Sequence, residues 1–540
     1  MIRLFRILFP KENICPESSL YYRASAADPR AVEQRDGALA VRDGACVSFD
    51  TYFNAFPFCK FREYTGVDSV RVVLKAQGSF SFRLYSLRLS AGNGTARSLL
   101  QEKKADCLPD APVSLLQDFS ALPEDGLLYL EAQALSGGAV FYGGSFAAGE
   151  AAAQNRVKIA AVVCTYRREE FVYRNMRNVD REIYHSGDGP IRGDIDFFIV
   201  DNGHTIDGTE VENEHVRVFR NRNWGGSGGF ARGMIEARRE PGSYTHVLLM
   251  DDDILFETDV LERTAAFLKV LKPEYAEYSL AAGMLEQERP WVQYEAGGVW
   301  KGRRGRLLRA GMDLRAPEQI LLNERGPEAQ YCGWWYMCIP LAVPERFGLP
   351  FPFFLKSDDS EYCIRSGSRL IFIGGVGVWH QTFAGKKTPL LEYYLKRNEM
   401  ILNALHFPRY GLLHNLGKLF LALGKQTVLY HFAGVDYLFA AYRDFLEGAD
   451  FFLRTDAEKL NRRLAEAGRG KPARPFFHMA AGFFRTAAGM ISGYGKAAES
   501  YRDRLGELTS FGFWCGRLGI EPVSARPDGK TTDSGSVQSR

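Results

Sequence analysis

Carboxylates dominate the residues of this chain that could do chemistry, and they are unevenly placed. Asp251, Asp252 and Asp253 stand together after the run His246-Val-Leu-Leu-Met250, and Asp358 and Asp359 stand together after Pro350-Phe-Pro-Phe-Phe-Leu. A mostly apolar run ending in three acids reads as a buried parallel strand that delivers side chains to the carboxyl edge of a sheet, where open α/β folds bind ligands. An Asp-x-Asp pair at such an edge cradles a hard divalent cation, Mn²⁺ or Mg²⁺, whose remaining positions go to diphosphate oxygens. Taken alone, the triplet reads equally well as an acidic turn after a strand. The second pair suits proton transfer, because two adjacent carboxylates in a partly buried pocket resist joint ionisation and one keeps its proton to higher pH, as a general base requires. An acidic cap on the helix that begins near Ser360 is the structural alternative.

The elements that must position these acids follow from periodicity. Val157–Thr165 reads as a buried strand, and the segment from Tyr166 opens a helix with acids in its first turn, where the helix dipole favours them. Ile195–Val200 is a second strand ending in Asp201, and Val216–Phe219 is a third that runs into Asn221-Arg-Asn-Trp-Gly-Gly-Ser-Gly-Gly-Phe-Ala-Arg-Gly233. A helix is expected over Met234–Glu240, and the strand before Asp251 is the fourth. Strand-helix alternation implies a doubly wound, mostly parallel sheet. Four strand ends then meet at one edge, carrying Thr165 and Arg168, Asp201, the glycine-rich segment and the Asp triplet. A glycine-rich loop between strand and helix lets backbone approach a ligand and aims amides at it. It is neither a Walker loop nor a dinucleotide fingerprint, since the Gly-Lys-Ser/Thr ending and a ribose-binding acid at the expected spacing are missing.

Thr165, Asp201, Asn223 to Gly233 and Asp251-Asp252-Asp253 together resemble the inverting, nucleotide-sugar-dependent glycosyltransferases of the GT-A fold, family 2. Downstream, Gly333-Trp-Trp-Tyr336, Phe353-Phe-Leu-Lys-Ser-Asp-Asp-Ser-Glu-Tyr362 and Val378-Trp-His-Gln-Thr382 resemble the galactofuranosyltransferases that polymerise cell-wall galactan. The resemblance implies that Asp251 and Asp253 hold Mn²⁺ or Mg²⁺ with His380 as third protein ligand, although a lone His after an apolar run is otherwise a core residue. It implies Asp359 as the base that deprotonates the acceptor hydroxyl, with Asp358 beside it. Thr165, Arg168 and Asp201 would take the uridine end of a UDP-sugar, and Asn223 and the glycines, Gly228 among them, the diphosphate or the sugar. Arg397 is a further diphosphate candidate. Asp252, turned away from its neighbours by strand alternation, would be the most replaceable acid of the three, with at most a donor contact. Trp334 and Trp335 would recognise the acceptor, one as a platform for a sugar face while the other packs inward; both in the core is the alternative. Ser357 and Phe383 stand where the galactan polymerases would carry tryptophan.

At 540 residues the chain should hold roughly three domains. Residues 1–155 alternate in short apolar and aromatic runs, including Val70–Ala76 and Ser79–Leu89, as a β-sandwich or jelly roll does. Its aromatics Tyr52, Phe53 and Tyr64 could face a sugar, or the module could serve packing or oligomerisation. Residues 156–400 form the GT-A domain, and 401–524 a helical domain whose amphipathic segments lie on the core or on a membrane face. Arg454, Lys459, Arg462, Arg463, Arg469, Lys471 and Arg474 make a basic stretch that is a solvated face or a contact to anionic lipid, and residues 525–540 should be disordered.

The balance of 68 basic against 65 acidic residues, net +3, excludes a global field for nucleic acid. No apolar run reaches the ~18 residues that span a bilayer, no signal peptide is evident, and the nine scattered cysteines read as reduced thiols in a cytoplasmic protein. The expected function is metal-dependent transfer of galactofuranose from its UDP donor to a cell-surface glycan or glycolipid acceptor at the inner face of the membrane. Alternatives are the same fold using dTDP-rhamnose or a UDP-hexose, a non-catalytic glycan-binding assembly protein, or, more remotely, a nucleotidyltransferase. A homo-oligomer is expected by analogy alone.

Overall fold

A computed structural model describes residues 1–24, 29–90, 94–187, 189–240, 242–302, 305–383, 388–428, 433–467 and 476–522. The basic residues Arg469, Lys471 and Arg474 and the tail 525–540 lie outside this set. No helix among the described residues is long and apolar enough to cross a membrane.

The first 148 residues build an antiparallel sheet of ten strands folded on itself. Its centre is one strand, Ser69–Leu89, where the sequence suggests two. Residues up to Gln77 pair with Val113–Asp118 and Ala139–Ala148, and residues from Gly78 pair with Thr95–Cys107 and Leu127–Ala134. Gly78, at φ +92°, is where the strand passes from one layer to the other. Phenylalanines fill the space between layers, with Phe56 stacked on Phe61 and Phe146.

Of the two readings of Tyr52, Phe53 and Tyr64, sugar-facing or packing, the structure places them in packing. Tyr52 and Phe53 are fully buried and join Tyr21, Tyr129, Leu285 and Trp379 in a cluster shared with the second sheet, while Tyr64 is half-buried against Tyr275. Hydrophobic area at a joint between two domains outweighs the isolated signal of paired aromatics.

The second sheet has nine strands in the order 216–220, 195–201, 159–165, 246–251, 336–340, 279–286, 292–295 and 312–313, with 370–380 beside 279–286. The first four are parallel in register, as expected. The rest are not uniformly so: Tyr336–Pro340 runs antiparallel between two neighbours, and Leu370–His380 returns parallel to Ser279–Glu286. The helix expected from Met234 starts nine residues earlier, at Gly225, and runs to Arg239. Glycine disfavours helix, but here it allows close packing: a Cβ on Gly229 or Gly233 would collide with Cys164 or Val162 of the central strand.

Helices from Pro389 onward cover the side of this sheet away from the sandwich, and the first, Pro389–His406, is continuous through residue 400. Charged groups bind the sandwich to the other side. Arg6 forms a two-pronged pair with Asp259 at 2.7 and 2.5 Å, Arg3 meets Glu262 at 2.9 Å, and Lys11 lies between Glu182 and Glu257.

Glu324 is buried at this joint, close to Gly374, and burial pushes its carboxyl up to about 7 against the pull of Lys60 and Arg309. Its folded pKa therefore lies above the ordinary 4.5, so the folded state binds the extra proton between those values. Its contribution is present below 4.5 and is lost as pH rises through about 7. In Glu324→Gln, urea unfolding at about pH 5 and about pH 8 should differ less than in the wild type, by on the order of 3 kcal/mol.

Candidate active site

Parallel strand pairing brings the expected strand ends level: Thr165 opposes Asp201, and Cys164 opposes Asp251. The Leu370–His380 strand reaches the same edge from farther along the sheet. Single ligand atoms of Asp251, Asp253 and His380 all lie within 4.8 Å of one another, with His380 Nε2 3.2 Å from Asp253 Oδ1 and 3.7 Å from Asp251 Oδ2. Two carboxylates and an imidazole could hold a divalent cation such as Mn²⁺, leaving its other positions to a ligand. His380 Nδ1 faces the carbonyl of Gln381 at 2.5 Å, which fixes the ring and leaves Nε2 toward the acids.

Asp252 lies outside this cluster, in the turn that follows the strand end at Asp251, but it is not idle. It is buried, and its Oδ1 accepts from Arg168 Nη1 at 3.1 Å, while the same nitrogen donates to Asp253 Oδ2 at 2.6 Å. Burial pushes the Asp252 carboxyl up to about 6 and Arg168 draws it back. Arg168 thus sits against the triplet. Asp201 is fully buried, and its two oxygens accept from the amides of Gly203 and Ile206, each at 2.9 Å, so that it holds the turn after its strand. Thr165 is buried beside this turn, whose Asn202 amide donates to the Thr165 carbonyl at 3.0 Å.

The glycine-rich segment meets the chain itself. The Phe354 carbonyl accepts from the Gly226 amide at 3.0 Å and occupies the space a Cβ on Gly225 would need, and Ser227 Oγ donates to Asp358 Oδ2 at 3.1 Å. Gly228 is buried, with Trp224 and Trp514 where its side chain would be. Asn223 accepts from the Gly225 amide at 3.1 Å and reaches Glu458 at 3.4 Å.

Phe354, Lys356 and Ser357 all have positive φ, at 76°, 65° and 69°. Such backbone costs about 1–3 kcal/mol per residue and collects where structure is constrained for function. The loop delivers Asp358 and Asp359 to the first turn of the Asp358–Ser366 helix. Asp358 is buried and Asp359 more open. Burial raises both carboxyls, the neighbouring Asp359 charge adds to the rise at Asp358, and Lys356 opposes it at both. The Asp251 charge also raises Asp359, so the cluster and the pair lie close enough to feel one another's charge. Asp359 Oδ1 accepts from the Ser360 amide at 2.6 Å.

Trp334 and Trp335 are both buried. Trp334 packs edge-on to Phe230 and Tyr362 at 5.1 and 5.6 Å, and Trp335 lies 6.4 Å from the His380 ring. Both indole N–H groups are buried and without a hydrogen-bond partner among the described residues. Arg397 is farther back. It is 1% exposed, donates to the Phe353 carbonyl at 2.8 Å and the Tyr393 hydroxyl at 3.1 Å, and lies among the rings of Tyr394, Phe451 and Phe452.

Two groups at the site escape the motif reading. Lys356, 4.4 Å from the Phe383 ring centroid, is the cation that Asp251, Asp358 and Asp359 share. A lone lysine before two acids was the available signal. Glu295, buried at the end of Val292–Glu295, is pushed up to about 8 by burial and by Asp359. Nothing in its sequence context marks it.

Against known proteins, residues 4–131 match the domain family described as galactofuranosyltransferase 2 N-terminal, and residues 160–312 the one described as glycosyl transferase family 2. With its GT-A-type α/β fold, the chain is a glycosyltransferase carrying a family 2 domain. Its relatives narrow the likeness. It is 24% identical to galactofuranosyltransferase GlfT2 of Mycolicibacterium smegmatis over 479 residues, which is 83% of this chain and 71% of that protein. It is also 24% identical to GlfT2 of Mycobacterium tuberculosis over 394 residues, 67% of this chain and 58% of that one. Among solved structures, the mannosyltransferase PcManGT of Pyrobaculum calidifontis, in complex with GDP-Man and Mn²⁺, aligns at 15% identity and a TM-score of 0.30, covering 63% of this chain and 88% of that chain.

Mn²⁺ titration followed by the loss of the free-ion paramagnetic signal checks the cluster. Asp253→Ala and His380→Ala should each weaken binding by more than about 100-fold, beyond the effect of losing a supporting group. Asp252→Asn should stay within about tenfold of wild type.

Proposed function

We propose that this glycosyltransferase moves galactofuranose from UDP-galactofuranose, with inversion, to a hydroxyl of a lipid-linked cell-surface glycan. The observation that carries the reading is the proximity of the Asp251-Asp253-His380 cluster to the Asp358-Asp359 pair, close enough for the Asp251 charge to act on Asp359, supported by similarity to galactofuranosyltransferases over most of the chain. A divalent ion held by the cluster would neutralise the charge that develops on the departing UDP. Asp359, the more open acid, takes the proton of the acceptor hydroxyl as that oxygen attacks the anomeric carbon opposite the leaving group. Asp358, held by Ser227, keeps the pair's shared proton and orients the acceptor. The direct displacement needs no enzyme nucleophile, and the buried Cys332, Cys338 and Cys363 serve packing. Trp334 and Trp335 stand on the acceptor side in this reading, packed against Phe230, Tyr362 and the His380 ring. Thr165, Arg168 and Asp201 mark the nucleotide end, where Asp201 shapes the turn and Arg168 sets the charge beside Asp253.

The helical segment offers a surface for a lipid-linked acceptor. Leu413, Phe420 and Leu421 on Leu412–Val428, and Phe484 and Ile491 on Phe476–Asp503, are 60–83% exposed. Phe420 and Phe483 meet at 6.2 Å, which joins the two helices' apolar faces. An apolar patch of this kind suits peripheral contact with a membrane surface.

In a donor screen with synthetic lipid-linked acceptors, UDP-galactofuranose should be consumed with release of UDP; turnover only with dTDP-rhamnose or a pyranose donor would overturn the furanose assignment. Asp359→Asn should lower transfer by about 1,000-fold or more while UDP and Mn²⁺ binding persist. Because both acids of the pair are raised, kcat/KM should climb with pH through a value above the ordinary carboxylate range, with activity lost on the acid side. Phe420→Ser with Phe484→Ser should reduce sedimentation with phosphatidylglycerol vesicles and leave transfer to a short soluble acceptor unchanged.

A further inference from the structure

We infer that the N-terminal sandwich positions the metal cluster, with Phe53 as the positioning residue that acts through Trp379 on His380. The inference rests on the reading of Asp251, Asp253 and His380 as a cation site.

The strand that carries His380 is irregular. Ala281 pairs with Phe372, but two residues later Gly283 pairs with Gly377, so four residues, Ile373 to Val376, stand opposite one. A bulge of this size re-aims every side chain beyond it, and its shape must be fixed from outside the ladder. That support comes from the joint with the sandwich. Arg263, fully buried, donates to the carbonyl of Gly375 in the bulge at 2.8 Å, and to the carbonyls of Phe53 at 2.8 Å and Arg6 at 3.0 Å in the sandwich. The Tyr52 hydroxyl lies against Gly377, where a Cβ would come within 2.6 Å of it.

Past the bulge, Trp379 and Leu255 exchange two backbone hydrogen bonds of 2.8 Å. Leu255 lies two residues after Asp253, and Trp379 lies one before His380. This single bridge therefore sets the distance between two members of the cluster. The Trp379 ring is held by its N–H on the Pro290 carbonyl at 2.9 Å and by Phe53 at 5.3 Å, and Phe53 is itself stacked on Tyr21 at 5.0 Å. Without the Phe53 ring, one side of Trp379 has nothing to pack on, and the bridge that aligns His380 with Asp253 loses its backing.

Full-length Phe53→Ala, Phe53→Leu and Phe80→Ala separate positioning from general stability, since Phe80 is equally buried in the sandwich core, stacked on Phe82. Mn²⁺ affinity and spectral line shape are read by paramagnetic resonance, alongside thermal unfolding and UDP binding without metal. Phe53→Ala should weaken Mn²⁺ about tenfold and broaden its signal. Phe53→Leu should lie between it and wild type, and Phe80→Ala should keep wild-type affinity despite a comparable fall in thermal midpoint. Wild-type affinity in Phe53→Ala, or equal loss in Phe53→Ala and Phe80→Ala, would overturn the inference. A wild type that binds no Mn²⁺, or a His380→Ala variant that binds it undiminished, would instead remove the cation site itself, and the inference with it.

Discussion

Repulsion among carboxylates is the constraint on which the rest of this structure depends. Asp251, Asp252, Asp253, Asp358, Asp359 and Glu295 are gathered at one edge of a sheet, mostly buried, where like charges interact far more strongly than in water. The chain offsets this with few cations. Arg168 is shared by Asp252 and Asp253, and the field of Lys356 reaches Asp251, Asp358 and Asp359. Burial first, and then the charge of neighbouring acids, keeps protons on Glu295 and the Asp358-Asp359 pair above the ordinary range. An edge built this way favours an added divalent charge, and the acids that remain can exchange a proton near neutral pH.

Bringing the second acid pair to that edge requires two backbones to approach more closely than side chains allow. Gly225 and Gly226 accept the Phe354 carbonyl, and the loop after it stays in the left-handed region through Lys356 and Ser357. The glycine cluster and the strained loop are thus two halves of one contact. Replacement of either surface by residues with a Cβ or with relaxed backbone would draw Asp358 away from Ser227.

This pairing also shows where the sequence is legible and where it is not. The four parallel strands and the acids at their ends could be read because periodicity and edge chemistry are local properties. The same locality misleads for Gly225 to Gly233, which look like a ligand-facing loop until the strand beneath and the loop above fill the space. Tyr52 and Phe53 look like exposed aromatics because their covering surface lies more than 300 residues away, at Trp379. Alternation makes Asp252 the most replaceable acid of the three, but its burial against Arg168 depends on a helix start that alternation does not describe. Glu295 has no local signature, since its raised pKa comes from burial and from Asp359, 64 residues on.

The two halves of the site are braced from opposite sides. The sandwich backs the strand bearing His380 through Phe53, Tyr52 and Arg263. The helical segment backs the acid loop: Arg397 donates to the Phe353 carbonyl, Asn398 to those of Leu355 and Lys356 at 2.8 Å each, and Trp514 to that of Pro350 at 2.9 Å. Arg397 thereby gains a role that its charge alone did not suggest, as a buried donor that holds a strained turn. Because each late motif leans on a different flank, the distance from His380 to Asp359 is set by two interfaces with the central sheet between them. A shift at either flank changes the spacing between cluster and base without displacing the Asp triplet, whose strand is fixed by its parallel neighbour.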